Sequence, residues 1–176
     1  MLKRWKRLNT KIFSKNPWWT YKLDTFEIPN EYTGEYHYVY TNGSSMVIPV
    51  RDDGKVILVK QYRYLCERDS IEFPCGSVKD GDGYDDTAHH ELGEETGFDA
   101  RSMERIGQFA PYNGVSSEIC RVYIARDLTL SEAQPDHTEE FELIFCSAKE
   151  IEDLITANEI WDGMTLAAWS FGRSAL

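Results

Sequence analysis

The sequence predicts a mixed α/β (α+β) domain, and three observations carry that reading. Short strand-like segments dominate the first half, one helical stretch stops at a glycine, and further strands lead into two C-terminal helices. The chain has 176 residues, enough for one domain with a real core and short for two. Apolar residues make up 41% and aromatics 13%, so there is material to bury. No internal repeat, low-complexity run or linker divides it.

In chain order, Trp19 to Ile28 reads as a strand ended by Pro29-Asn30. Tyr36 to Tyr40 and Ser45 to Val50 flank Asn42-Gly43, which predicts a hairpin. Asp52-Asp53-Gly54 turns the chain into Lys55 to Tyr62, where Val56, Leu58 and Lys60 alternate with Ile57, Val59 and Gln61. Ile71 to Cys75 is a further short strand. Asp85 to Thr96 is helical and stops at Gly97, a residue suited to the position just past a helix end. Ile119 to Ala125 and Phe141 to Cys146 are later strands, and Glu150 to Asn158 and Asp162 to Phe171 are helices.

Charge and composition exclude several functions. A net charge of −11 opposes nucleic-acid phosphates over most of the surface. Lys3, Arg4, Lys6, Arg7, Lys11 and Lys15 precede the first acid, Asp24, and read as a solvated basic segment. No run approaches about 18 apolar residues, so no membrane span is expected, and the basic N-terminus lacks the apolar stretch of a secretory signal. Cys66, Cys75, Cys120 and Cys146 have neither disulfide-framework nor zinc spacing, which predicts reduced thiols and a cytoplasmic protein. An acidic protein acting on an anion needs bound cations or well-placed arginines.

The densest signal is GSVKDGDGYDDTAHHELGEETGF, Gly76 to Phe98. Glu91 and Glu95 are four apart on the expected helix, so their carboxylates point the same way, with Glu94 three from Glu91. Clustered acids repel one another, and a divalent cation would neutralise them. Carboxylate oxygens suit magnesium or manganese, which also bind substrate phosphates.

The segment resembles the Nudix box: Gly, five residues, Glu, seven residues, Arg-Glu, a bulky apolar, any residue, Glu-Glu, any residue, Gly, a bulky apolar. Gly76, Glu91, Leu92, Glu94, Glu95, Gly97 and Phe98 match at every fixed spacing, whereas Asp82 replaces Glu and His90 replaces Arg. The resemblance implies an α/β/α sandwich with a mixed β-sheet. It also implies a magnesium or manganese site built from Glu91, Glu94, Glu95 and the backbone carbonyl of Cys75. His90 and Asp82 would then support the metal-binding carboxylates.

Outside the box, QYRY, EFPCG, SSE, ARDL, EEFE and WDGMTLAA resemble the ADP-ribose and nucleoside-diphosphate-sugar pyrophosphatase branch. That likeness implies a small-molecule nucleotide substrate facing Arg63, Glu72 and Glu118, and a nucleobase stacked on Trp19, with Trp18 and Tyr32 as other aromatic candidates. Glu139 would handle the attacking water, Glu140 being second and Glu94 a further catalytic carboxylate. The branch implies a homodimer, with residues 1–43 as a dimer-forming N-terminal antiparallel strand region and 44–176 as the hydrolase domain. The expected reaction is metal-dependent cleavage of a nucleoside diphosphate sugar, ADP-ribose first among them. Asn113 stands where that branch often carries proline, which leaves the sugar open. The departures at Asp82 and His90 are what would favour the alternative, a domain that binds such ligands without cleaving them.

Overall fold

The computed structural model describes residues 2–131 and 140–176. The chain forms two compact units, the first comprising Met1–Asn42 with Ala110–Glu118 and the second Gly43–Phe109 with Ile119–Leu176.

The first unit is an antiparallel three-stranded sheet, β1 (Lys6–Lys15), β2 (Thr20–Ile28) and β3 (Tyr32–Tyr40), in that order. The basic segment read as solvated is therefore a strand, with every residue exposed. Its register shifts twice, between Arg7 and Asn9 and between Ile12 and Ser14, which breaks the period-two pattern that would have announced it. One face of the sheet is an aromatic cluster in which Trp5 stacks on Phe26 at 4.4 Å between centroids and Tyr32 tilts against the same ring. The stretch 110–118 joins this unit by hydrogen bonds from Val39 N–H to Val115 O and from Ser117 N–H to Val39 O.

The second unit holds the core. One sheet runs β7 (Cys75–Ser77), β4 (Ser44–Pro49), β9 (Cys120–Leu130), β8 (Phe98–Phe109), with β4 and β9 parallel and the other pairs antiparallel. The other runs β10 (Glu142–Cys146), β5 (Val56–Arg63), β6 (Arg68–Glu72). Helix α1 (Tyr84–Thr96) covers one face of the four-stranded sheet, where Ala88 and Leu92 pack on Val47, Tyr123 and Ala125. Helices α2 (Ala148–Thr156) and α3 (Gly163–Gly172) close the opposite face, with Ile151, Ala168 and Trp169 against Met46, Ile48, Val122 and Ile124. Helix, mixed sheet and helix make the α/β/α sandwich the resemblance implied.

Two expectations need correction. Asn42-Gly43 does not close a hairpin: β3 pairs with β2, whereas β4 pairs with β7 and β9. Gly43 has φ +104°, so the dipeptide supplies the left-handed turn its chemistry favours, but the strands it joins belong to different sheets. Ile71 to Cys75 is not one strand: β6 ends at Glu72 and β7 begins at Cys75, parted by Phe73-Pro74. No helix among the described residues is long and apolar enough to cross a membrane.

Candidate active site

The site is assembled where α1 meets β7. Helix α1 starts after Gly83, whose N–H donates to the Asp86 carboxylate at 3.2 Å, so the first turn is acidic where the helix dipole favours it. It stops at Gly97, φ +70°, whose N–H donates to Gly93 O at 3.0 Å. Between these ends Leu92 and Ala88 face the sheet, and the spacing brings Glu91 and Glu95 toward β7.

Gly76 shows how close that approach is. A Cβ there would fall inside contact distance of both carboxylate oxygens of Glu91, so this side chain lies directly on the Gly76 backbone. Glu95 is buried, at 6% exposure, while Glu91 and Glu94 are half-buried. Both Glu95 and Glu91 act on Cys75: its thiol is pushed well above the usual range by its hydrogen bond with Cys120, by burial, and then by the charges of Cys120, Glu95 and Glu91. The two box carboxylates therefore converge on the Cys75–Gly76 segment.

Among the described residues, no three His, Cys, Asp or Glu side chains are grouped closely enough to hold a metal ion by themselves. The donor set nevertheless fits magnesium or manganese, because these ions keep several waters and bind through one or two carboxylates together with substrate phosphates. Backbone carbonyl oxygen, which Cys75 offers, belongs to the same hard-donor class.

Arg63 places a cation beside this acidic patch. Its Nε donates to Glu72 Oε1 at 2.8 Å and Nη2 donates to Glu72 Oε2, a forked pair. Glu72 is buried, and Arg63 is held charged first by that hydrogen bond, against the cost of burial, with the charges of Glu72 and Asp162 adding to it. Asp162 caps α3 through Thr165 N–H at 2.7 Å, and Thr165 Oγ1 in turn accepts from Phe73 N–H at 3.4 Å. The loop between β6 and β7 is thus tied to α3, and it carries Glu72 and Cys75 at its two ends.

Glu140 is exposed, just before β10, and Glu139 lies outside the described residues. Trp19 and Glu118 belong to the first unit, where Trp19 N–H donates to Asn16 Oδ1 and Glu118 N–H donates to Ser116 Oγ. His90 and Asp82, expected to support the metal-binding carboxylates, are both exposed. Position 90 looks outward because the helix face toward the sheet is occupied by Ala88, Leu92 and Glu95.

Sequence reasoning missed a second set of polar contacts beneath α1. Tyr123 O–H donates to Asp85 Oδ1 at 2.6 Å, and its pKa is pushed up to about 12, first by burial and then by that bond. Ser45 Oγ–H donates to Tyr84 O at 2.6 Å, and the Arg121 guanidinium lies 3.9 Å from the centre of the Tyr84 ring. The only sequence signal was polarity at positions 45 and 121 on strands otherwise facing a core.

Comparison with known proteins agrees with this geometry. The NUDIX domain family model matches residues 39–167. An ADP-ribose pyrophosphatase of Bacillus subtilis (strain 168) is 32% identical over 148 residues, covering 83% of this chain and 80% of that protein. A methanol dehydrogenase activator of Bacillus methanolicus is 33% identical over 149 residues, covering 84% and 80%. A crystal structure of an ADP compounds hydrolase aligns with TM-score 0.86 at 21% identity, over 100% of this chain and 96% of that one. With its box residues gathered at α1 and β7 and the family match spanning most of its length, the chain belongs to the NUDIX domain family.

Proposed function

We propose that the chain hydrolyses the pyrophosphate bond of a nucleoside diphosphate sugar, ADP-ribose first, to a nucleoside monophosphate and a sugar phosphate. The observation that carries this reading is the Glu91 carboxylate seated on the Gly76 backbone, with Glu95 buried on the same face of the helix. The relative named ADP-ribose pyrophosphatase, at 32% identity, supports the substrate class.

Glu91 and Glu95, with Glu94 and the Cys75 carbonyl, would hold magnesium or manganese. When bound, the cation supplies charge neutralisation for the diphosphate oxygens and a more acidic water. Arg63, kept charged and aimed by Glu72, offsets substrate charge that the acidic surface otherwise repels. Glu139, with Glu140 and Glu94 as the other carboxylates, takes the proton of the attacking water. Glu118 contacts the substrate and Trp19 stacks its base, with Trp18 and Tyr32 as further aromatic surface. Residues 1–43 form a dimer-making strand region and 44–176 the hydrolase domain, in a homodimer of a reducing, cytoplasmic setting. Exposed Trp5, Trp18, Tyr32 and Tyr36 supply the surface for that pairing.

A hydrolysis screen of nucleoside diphosphate sugars, dinucleotides and nucleoside triphosphates with magnesium tests the reading. Cleavage of the first group between its two phosphates supports it. Tight binding of ADP-ribose without products would instead make the chain a binding domain.

A further inference from the structure

One cross-strand rung of the four-stranded sheet reaches α1 at two places. Arg121 on β9 is paired with Ser45 on β4, and Ser45 is paired with Gly76 on β7. Side chains opposite one another in register share a face, and this face is the one α1 covers, since Val47 and Tyr123, two residues further along, pack on Ala88 and Leu92. At one end of the rung, Arg121 stacks on the Tyr84 ring at 3.9 Å, and Ser45 Oγ–H donates to the Tyr84 carbonyl at 2.6 Å. At the other end, Gly76 receives the Glu91 carboxylate. Ser45 is fully buried, and a buried hydroxyl is stable only with a partner, so the first turn of α1 is bound to this hydroxyl rather than left to slide. Tyr123 repeats the tie one residue on, through Asp85.

We propose that Ser45 and Arg121 are positioning residues for Glu91: by fixing the first turn of α1 on the same rung that carries Gly76, they set where the Glu91 carboxylate stands. The inference rests on the proposed metal role of Glu91. Glu91 lies about two turns along the helix from Tyr84, and a helix transmits displacement of its first turn with little loss over so short a distance.

The test is binding of Mn2+ alone, followed by electron paramagnetic resonance, in wild type, Ser45→Ala, Arg121→Lys, and Ile151→Val. The last variant loosens the core at α2 and leaves the rung intact. Ser45→Ala and Arg121→Lys are expected to weaken Mn2+ by about five- to tenfold, the worth of one net hydrogen bond for the first and of one partly buried cation–π contact for the second. KM for ADP-ribose at saturating metal should stay near wild type, and Ile151→Val should bind Mn2+ normally. A role in stability alone would lower the melting temperature in all three variants and leave Mn2+ affinity unchanged, and that result overturns the proposal. Equal weakening in Ile151→Val overturns it as well. If Ser45→Ala does not fold, Arg121→Lys decides. A wild type that binds no Mn2+ sinks both this inference and the metal role of Glu91. Normal wild-type binding with unaffected rung variants sinks this inference alone.

Discussion

Replacing Gly76 by alanine probes the site at its tightest point. The backbone there is not left-handed, so alanine brings no conformational strain, and the whole effect comes from the added methyl group. That methyl would overlap both oxygens of the Glu91 carboxylate, which must retreat by about 1 Å or more to reach ordinary contact. Because the obstacle is the end of a flexible side chain, the protein should fold with a stability loss of about 1 kcal/mol, the low end for overpacking. The carboxylate, however, stops pointing where it is needed. A displacement of about 1 Å at a reacting centre costs roughly a hundredfold in rate, which is about 2.7 kcal/mol of barrier. The assay is steady-state hydrolysis of ADP-ribose at saturating magnesium, with circular dichroism melting to confirm the fold. A folded Gly76→Ala protein with turnover within about threefold of wild type would refute the claim that Glu91 works from its seat on Gly76.

Other expectations follow from the same geometry. Glu95→Gln should fold and lose about a hundredfold or more in turnover, and near-normal turnover at saturating magnesium would remove Glu95 from the site. Light scattering at micromolar concentration should give about twice the chain mass of 20.4 kDa, whereas a concentration-independent monomer mass would remove the shared strand region. Glu150 is held below the ordinary carboxylate range, first by the Ser147 N–H and then by its hydroxyl. Its stabilising contribution is therefore present above pH about 4.5 and lost as the pH falls through its lowered value. Melting curves from pH 3 to 6 should show a shallower acid decline in Glu150→Gln than in wild type, and identical slopes would contradict the assignment.

The parts of this fold that were legible in the sequence are those whose local chemistry and tertiary environment agree. Helix α1 was bounded closely because Gly97 takes the left-handed position that only a helix end requires. β5 was legible from Val56 to Val59, apolar on both faces because both are buried. β1 was not, because its ten residues are all exposed and its two register shifts erase alternation. β8 also escaped: Asp99, Arg101, Glu104 and Arg105 make it polar, and a further irregularity falls between Arg105 and Gly107. Asn42-Gly43 misled because a turn signal reports the conformation of two residues and not which strands pair. In the site, the spacing of Glu91 and Glu95 was sufficient to place them together, since a helix fixes it. The roles of Ser45, Arg121 and Tyr123 depend on contacts between segments about thirty to seventy-five residues apart, which no local period encodes.

The most direct test of the central claim is product analysis of ADP-ribose incubated with the purified protein and magnesium, with and without a chelator. If the α1 carboxylates beside β7 serve cleavage between the two phosphates, AMP and ribose 5-phosphate are expected, formed only with the metal. Release of free ribose or of ADP, or no products from any nucleoside diphosphate sugar, would contradict it.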